Sequence, residues 1–174
     1  MLKVKAGDLD KMGLLFERYH RSLYGFLFHM TNQKEASEDM TQNVFYRMLK
    51  YRNAFVGDGE FRTWMYHLAR NVLNDHAKKN IRNKAQYDIK DFEERIGGST
   101  LADEQFEKEE ELNMLEKALG SLSTENRELL ILSRYQELSY QEIAKILDTT
   151  EGAIKVRVHR AMGQLKSIYF KINV

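Results

Sequence analysis

The side chains able to make or break bonds are few here, and their spacing does not suit catalysis. The histidines at 20, 29, 67, 76 and 159 show no HExxH pattern or other close metal-ligand spacing. Cysteine is absent, which removes disulfides and thiolate metal sites and suits a reducing compartment. His67 and Asp75 would lie about two turns apart on one helix, too far for direct contact. There is no glycine-rich phosphate loop, and no serine stands in a motif that would activate it as a nucleophile. The expectation is a protein with no catalytic residue, no metal and no cofactor.

The chemistry that remains is recognition by cations and hydrogen-bond donors. It concentrates in Ser139 to Lys166, SYQEIAKILDTTEGAIKVRVHRAMGQLK. Ser139 and Glu142 form the S-x-x-E pattern of a helix start. Ile143, Ala144 and Leu147 follow on one face, and Asp148, Thr149 and Thr150 break the pattern with turn and cap residues. From about Glu151 a second helix has an inward stripe of Ile154, Val158, Ala161 and Leu165. At about 100° per residue its opposite face carries Gly152, Val156, His159, Arg160 and Gly163, flanked by Lys155 and Arg157. A short capped helix, a tight turn and a longer basic helix make a helix-turn-helix, whose second helix has the dimensions of a DNA major groove. The same residues would also suit a helical hairpin with a solvated basic face.

A second candidate surface lies in Phe61 to about Arg82, FRTWMYHLARNVLNDHAKKNIR. Phe61, Trp64, Tyr66 and His67 are interleaved there with Arg62, Arg70, Lys78, Lys79 and Arg82. Basic side chains beside aromatics suit a surface that tracks a nucleic-acid strand, with Trp64, Leu68 and Val72 turned to the core. The preceding loop, Arg52 to Glu60, holds Phe55 and Val56. Phe55 could stack on an unpaired base or tuck into the core. Asp39, Gln42 and Asn43 form a polar patch on the helix predicted over Lys34 to Tyr51.

The elements that must position these groups are all helical. The chain of 174 residues has no proline, and its apolar residues recur at three and four positions. Leu14, Leu15, Tyr19, Leu23, Phe26, Leu27 and Met30 make the stripe of a first helix. Leu112, Leu115, Leu119 and Leu122 make that of a later one. A helix from Glu125 to about Arg134, capped by Ser123 or Thr124, contributes Leu129, Leu130 and Leu132. The net charge of +1 conceals two basic blocks around an acidic one. Residues 61–87 hold six Lys/Arg against Asp75 alone, residues 88–111 hold ten acids against three bases, and residues 145–171 hold six Lys/Arg against two acids. The fold expected is all-α: a helical domain over 8–84, a flexible acidic linker over 85–111 and a four-helix domain with the helix-turn-helix over 112–170. No apolar core segment marks a signal peptide near the start, and no aliphatic run could span a bilayer. A cytoplasmic protein without membrane insertion is the expectation.

Four blocks in order, EDMTQNVFYRMLK (38–50), FRTWMYHLARNVLND (61–75), RELLILSRYQELSYQEIAKIL (127–147) and EGAIKVRVHRAMGQLK (151–166), resemble the extracytoplasmic-function (ECF) sigma factors of bacterial RNA polymerase. The likeness extends from about Leu9 to Phe170. It implies a promoter-specificity subunit rather than an enzyme. Its partners would be core polymerase, promoter DNA and an anti-sigma factor, and the free chain would be a monomer. Asp39, Gln42 and Asn43 would dock on the polymerase, Asn43 standing where the family usually has an acid. The loop residues Arg52, Asn53 and Phe55, with Arg62 and Trp64, would meet the single-stranded −10 element, and Lys78, Lys79 and Arg82 its phosphates. Lys155, Val156, His159 and Arg160 would read the −35 duplex, with Arg157 and Thr149–Thr150 as phosphate or backbone contacts and Gly152 on the same DNA-facing side of the helix. Ser123 replaces a usual proline, and Glu137 and Asp148 replace usual glycines at helix ends. A free-standing helix-turn-helix regulator is the alternative, and a protein-only adaptor a weaker third; neither explains all four blocks.

Overall fold

Without proline, helices here stop only where short polar or glycine-containing segments interrupt the apolar spacing. The computed structural model describes residues 1–57, 60–86 and 103–172, and no strand occurs among them. The N-terminal unit holds α1 (Leu2–Lys5), α2 (Lys11–Thr31), α3 (Lys34–Lys50), a 3₁₀ turn at Arg52–Ala54 and α4 (Phe61–Gln86). The C-terminal unit holds α5 (Asp103–Gly120), α6 (Thr124–Leu130), α7 (Tyr140–Ile146) and α8 (Glu151–Ile172). The glycines at 97 and 98, expected to centre the linker, lie outside the described residues. α5 already begins inside the segment expected to be linker.

The break between α2 and α3 falls at Asn32, whose φ of 53° is left-handed, a conformation asparagine tolerates. α2 buries Leu23, Phe26, Leu27 and Met30 against α3, which contributes Met40, Val44, Phe45 and Met48. Leu14, expected inward, is 59 % exposed. The stripe actually runs through Leu15 and Tyr19, and one residue of helix turns Leu14 about 100° away from it. On α4 the fully buried residues are Met65, Tyr66 and Ala69, with Val72 nearly so, while Trp64 and Leu68 are only half-buried. The inward face is thus displaced by about a residue from the one expected, because α4 packs on α3 at one side and on α7 at another.

The helix expected over Glu125 to Arg134 changes character at Ile131. A π-helical turn, Ile131–Tyr135, follows α6, and the Gln136 N–H donates to the Ile131 carbonyl at 3.0 Å. The wider turn is followed by Glu137 in the left-handed region, φ 50°. It delivers Gln136 to the seam between the two units. There the Gln136 side-chain oxygen accepts from the Ser22 hydroxyl (2.6 Å) and the Tyr66 hydroxyl (2.7 Å). Ser22 and Tyr66 also touch each other at 2.7 Å. Arg62 donates to the Gln136 carbonyl, and Arg70 lies on the Glu128 carboxylate at 2.6 Å. Arg127 reaches back from α6 to the Met30 carbonyl at 3.2 Å. The buried apolar residues of both units form one continuous cluster beneath these contacts.

Burial pushes the Tyr66 phenol up to about 12, from an ordinary value of 10. A folded-state value above the unfolded one means that the stability Tyr66 contributes is intact below pH 10 and is lost as pH rises from 10 towards 12. In an alkaline absorbance titration, one tyrosine should therefore ionise late, near pH 12. Tyr66→Phe should remove that late step; a profile unchanged by the substitution would contradict the buried hydroxyl.

Candidate nucleic-acid interface

The helix-turn-helix is built by two caps and one strained turn. The Ser139 hydroxyl accepts from the Glu142 N–H at 3.2 Å, and the Ser139 N–H donates to the Glu142 carboxylate at 2.7 Å, closing the reciprocal box that starts α7. Asp148, at the end of α7, has φ 50°. The Thr150 hydroxyl then accepts from the Ala153 N–H at 3.2 Å at the entry to α8. Ile154, Val158 and Ala161 are buried and Leu165 half-buried, which fixes the rotation of α8. That rotation leaves Gly152, Lys155, Val156, His159 and Arg160 exposed together, as their spacing predicts, with Thr150 exposed beside them and Arg157 half-buried. Val156 is 49 % exposed, an apolar side chain among donors. Such a face offers hydrogen bonds to base edges and an apolar contact of the kind thymine methyls accept.

The N-terminal candidates divide into two groups. Lys78, Lys79 and Arg82 are exposed along the distal part of α4. Nearer its start, Arg62 is half-buried and faces Glu142 at 4.0 Å, and Trp64 is half-buried in an aromatic cluster. Phe55 is only 6 % exposed, 5.2 Å from Trp64 and 6.2 Å from Phe61 between ring centres. Of the two roles open to Phe55 the structure has the core one, so base stacking by this ring is corrected to anchoring of the loop. Lys5 of α1 donates to the Phe55 carbonyl at 2.7 Å and holds the loop from below. Val56, 72 % exposed, is the apolar side chain this loop does present. Arg52 donates to the Leu49 carbonyl at 2.9 Å, and Asn53 is exposed. Tyr66, counted among the strand-facing aromatics, is in the seam instead.

Asp39, Gln42 and Asn43 are all exposed on α3. Asp39 and Asn43 line a groove of about 480 Å³ between α3 and α4, together with Asp75, His76, Lys79 and Asn80. Arg47 ties two of its lining residues together: its Nε donates to Asn43 at 3.1 Å and its Nη2 to Asp75 at 2.7 Å. Spacing on α3 alone could show Arg47 beside Asn43, but not Asp75, which lies 28 residues away. Lys79 therefore stands where the polar patch of α3 and the basic end of α4 meet. His67 is at the seam, its imidazole held below the usual value by burial and then by the Arg70 charge. A further cleft of about 790 Å³ lies between α5 and the tail of α8, lined by Leu112, Leu115, Met162, Leu165, Tyr169 and Phe170. Its lining is mainly apolar, with Glu111, His159 and Lys166 among it. Among the described residues, no cluster of three or more His, Asp or Glu could hold a metal, and no helix is long and apolar enough to cross a membrane.

Known proteins share both halves of this arrangement. The family described as Sigma-70 region 2 matches residues 15–83, and Sigma-70, region 4 matches residues 112–165. The ECF RNA polymerase sigma factor SigX of Bacillus subtilis is 32 % identical over 159 residues, covering 88 % of this chain and 80 % of the relative. The RNA polymerase sigma factor YlaC of the same organism is 27 % identical, over 90 % of this chain and 91 % of that one. In fold, the chain is similar to CnrH, solved in complex with the cytosolic domain of CnrY. The TM-score is 0.71 and the identity 20 %, over 96 % of this chain and 92 % of that one. It is also similar to the sigma factor RpoE of Bartonella quintana, solved with the anti-sigma factor NepR. There the TM-score is 0.68 and the identity 21 %, over 90 % and 94 % of the two chains.

The two ends of α7 make opposite predictions for stability. Ser139→Ala removes the cap and should lower unfolding free energy by about 1 kcal/mol. Asp148→Gly relieves a left-handed aspartate and should raise it by up to about 1 kcal/mol. Urea midpoints of the two variants should therefore move in opposite directions.

Proposed function

Because the chain belongs to the ECF group of the sigma-70 family, we propose that it carries out promoter recognition with its two helical units as separate readers. It is a specificity subunit: it binds core RNA polymerase and directs transcription initiation at promoters with −10 and −35 elements. The observation that carries the division of labour is the exposed face of α8, where Lys155, Val156, His159 and Arg160 project together from a helix fixed by its caps and its buried stripe. On this reading these four meet base edges of the −35 duplex in the major groove. Thr150, Gly152 and Arg157 lie along the phosphates, where the N-terminus of α8 adds its own dipole.

The N-terminal unit takes the −10 strand. Lys78, Lys79 and Arg82 supply a row of cations for its phosphates, and Arg52, Asn53 and Val56 present the loop that Phe55 anchors. Arg62 and Trp64 complete that surface when the N-terminal unit is free of its neighbour. Asp39, Gln42 and Asn43 form the polymerase-docking patch, with Arg47 holding Asn43 in place. Core polymerase performs the chemistry; this chain contributes sequence recognition, works where the polymerase works, in the cytoplasm, and is a monomer when free. Joining two weak readers makes the second contact intramolecular once polymerase holds both at the promoter. An anti-sigma factor fits as a partner, as NepR is for the RpoE chain of similar fold.

Run-off transcription with purified core polymerase on a promoter library tests the reading. Start sites that appear only with this protein and share two upstream motifs are the expected result. Silence with core, together with tight binding of the protein alone to duplex DNA, would instead favour a free-standing regulator. Arg160→Ala should weaken −35 duplex recognition by about 1–3 kcal/mol and relax specificity at one base. Asp39→Ala should weaken core binding and leave duplex affinity unchanged; intact core binding would remove the α3 patch from the docking surface. Replacing Lys78 and Lys79 together should reduce the salt slope of single-strand binding by about 1.4, at about 0.7 per phosphate contact.

A further inference from the structure

The loop after α3 is tied down by groups on a segment that the region 2 match, which begins at residue 15, does not reach. α1 is four residues long, Leu2–Lys5, too short to stand as a helix in water without tertiary contacts. It packs on α2 and on the 3₁₀ turn Arg52–Ala54. Val4 is fully buried in the core, and Met1 packs against that core. The Lys5 ammonium donates to the Phe55 carbonyl at 2.7 Å, a charge-assisted bond between groups 50 positions apart in sequence. Leu2 lies so close to Gly57 that a Cβ there would meet its Cδ2 at 3.0 Å. Gly57 has φ 87°, a conformation that only glycine takes without strain.

Phe55 is therefore held twice, its ring against Phe61 and Trp64 and its carbonyl on Lys5. Its N–H donates to the Arg52 carbonyl at 3.3 Å, which closes the 3₁₀ turn. Asn53 and Val56, on either side of this anchor, stay exposed. The Phe55 carbonyl and the Val56 N–H belong to one rigid peptide plane, so fixing the carbonyl fixes the direction in which Val56 leaves the anchored ring. We propose that α1 is a brace for the −10 loop and that Lys5 is its positioning residue. Without the Lys5 bond the ring stays in place, but the peptide beyond it is free to turn and Val56 is no longer aimed. Lys5 acts through the loop and does not itself touch the strand. What the loop meets rests on the promoter-recognition reading; that α1 holds the loop does not.

The test uses the full chain. Lys5→Met keeps an apolar stem and removes the donor, and Lys5→Arg restores a donor. Lys3→Met removes an equal charge from an exposed position of the same helix. Amide exchange is read first, without DNA. In Lys5→Met the Ala54 and Phe55 amides, which close the 3₁₀ turn, should exchange several-fold faster, with those of α3 and α4 unchanged. Lys5→Arg and Lys3→Met should match wild type. Each protein is then offered single-stranded deoxyoligonucleotides that carry a short randomised stretch. Wild type should enrich a motif, and Lys5→Met should prefer that motif over the unselected pool several-fold less, with Lys5→Arg restoring the preference. The salt slope of binding should be the same in Lys5→Met and Lys3→Met, whereas loss of a phosphate contact would lower it by about 0.7. Unchanged exchange in Lys5→Met overturns the brace. Faster exchange with undiminished preference overturns the positioning role, and a slope lower than that of Lys3→Met by about 0.7 makes Lys5 a direct contact instead. A wild type that enriches no motif removes the loop from promoter recognition, while the exchange result still decides the brace.

Discussion

One helix carries more constraints than any other part of this molecule. α4 must fill the core of the N-terminal unit, hold the seam against the C-terminal unit, and still present a row of cations. It meets these demands by dividing its circumference and its length. Met65, Ala69 and Val72 face α3; Tyr66, Arg62 and Arg70 face the other unit; Lys78, Lys79 and Arg82 lie exposed further along the helix. A helix so used cannot show a clean amphipathic pattern, since no side of it is uniformly wet along its length. That is why its inward face is displaced from the one that spacing alone suggests.

The seam itself depends on a local irregularity. A regular α-helix through Arg134 would present Gln136 on a different side, whereas the π turn at Ile131–Tyr135 and the left-handed Glu137 bring its amide oxygen to two hydroxyls. Such turns are uncommon and cluster where a side chain must be aimed. Glu142 shows the same economy, serving as the reciprocal cap of α7 and as the acid facing Arg62. A residue with two roles couples the start of the helix-turn-helix to the surface of α4. The coupling joins the two helical units directly, side chain to side chain.

Within each unit the charges are arranged with different intent. On α8 the cations sit on an outward face fixed by the Thr150 cap and the buried stripe of the helix. At the end of α4 they lie exposed along an extending helix. In the groove between α3 and α4, Arg47 is bound by Asn43 and Asp75 rather than offered to a ligand. The same residue type is thus left exposed or used as a brace according to what surrounds it.

The sequence by itself determined the elements whose signals are local. The capping box of α7, the turn at Asp148 to Thr150, the stripe of α8 and therefore its exposed basic face follow from spacings of three and four, because helix geometry is fixed by neighbours in the chain. The order of four blocks also identified the family. Tertiary structure alone decided what depends on distant partners: Phe55 in a pocket rather than on the surface, Leu14 outside the core, Tyr66 and Gln136 in one hydrogen-bonded cluster 70 residues apart. Arg62 and Arg70 read as free cations in the sequence and become engaged only when Gln136, Glu142 and Glu128 arrive. Periodicity states which face of a helix is apolar; it carries no record of which other helix will cover that face, or which acid will meet a given base. Those assignments arise from packing, where burial and charge pairing are settled between segments that the sequence keeps apart.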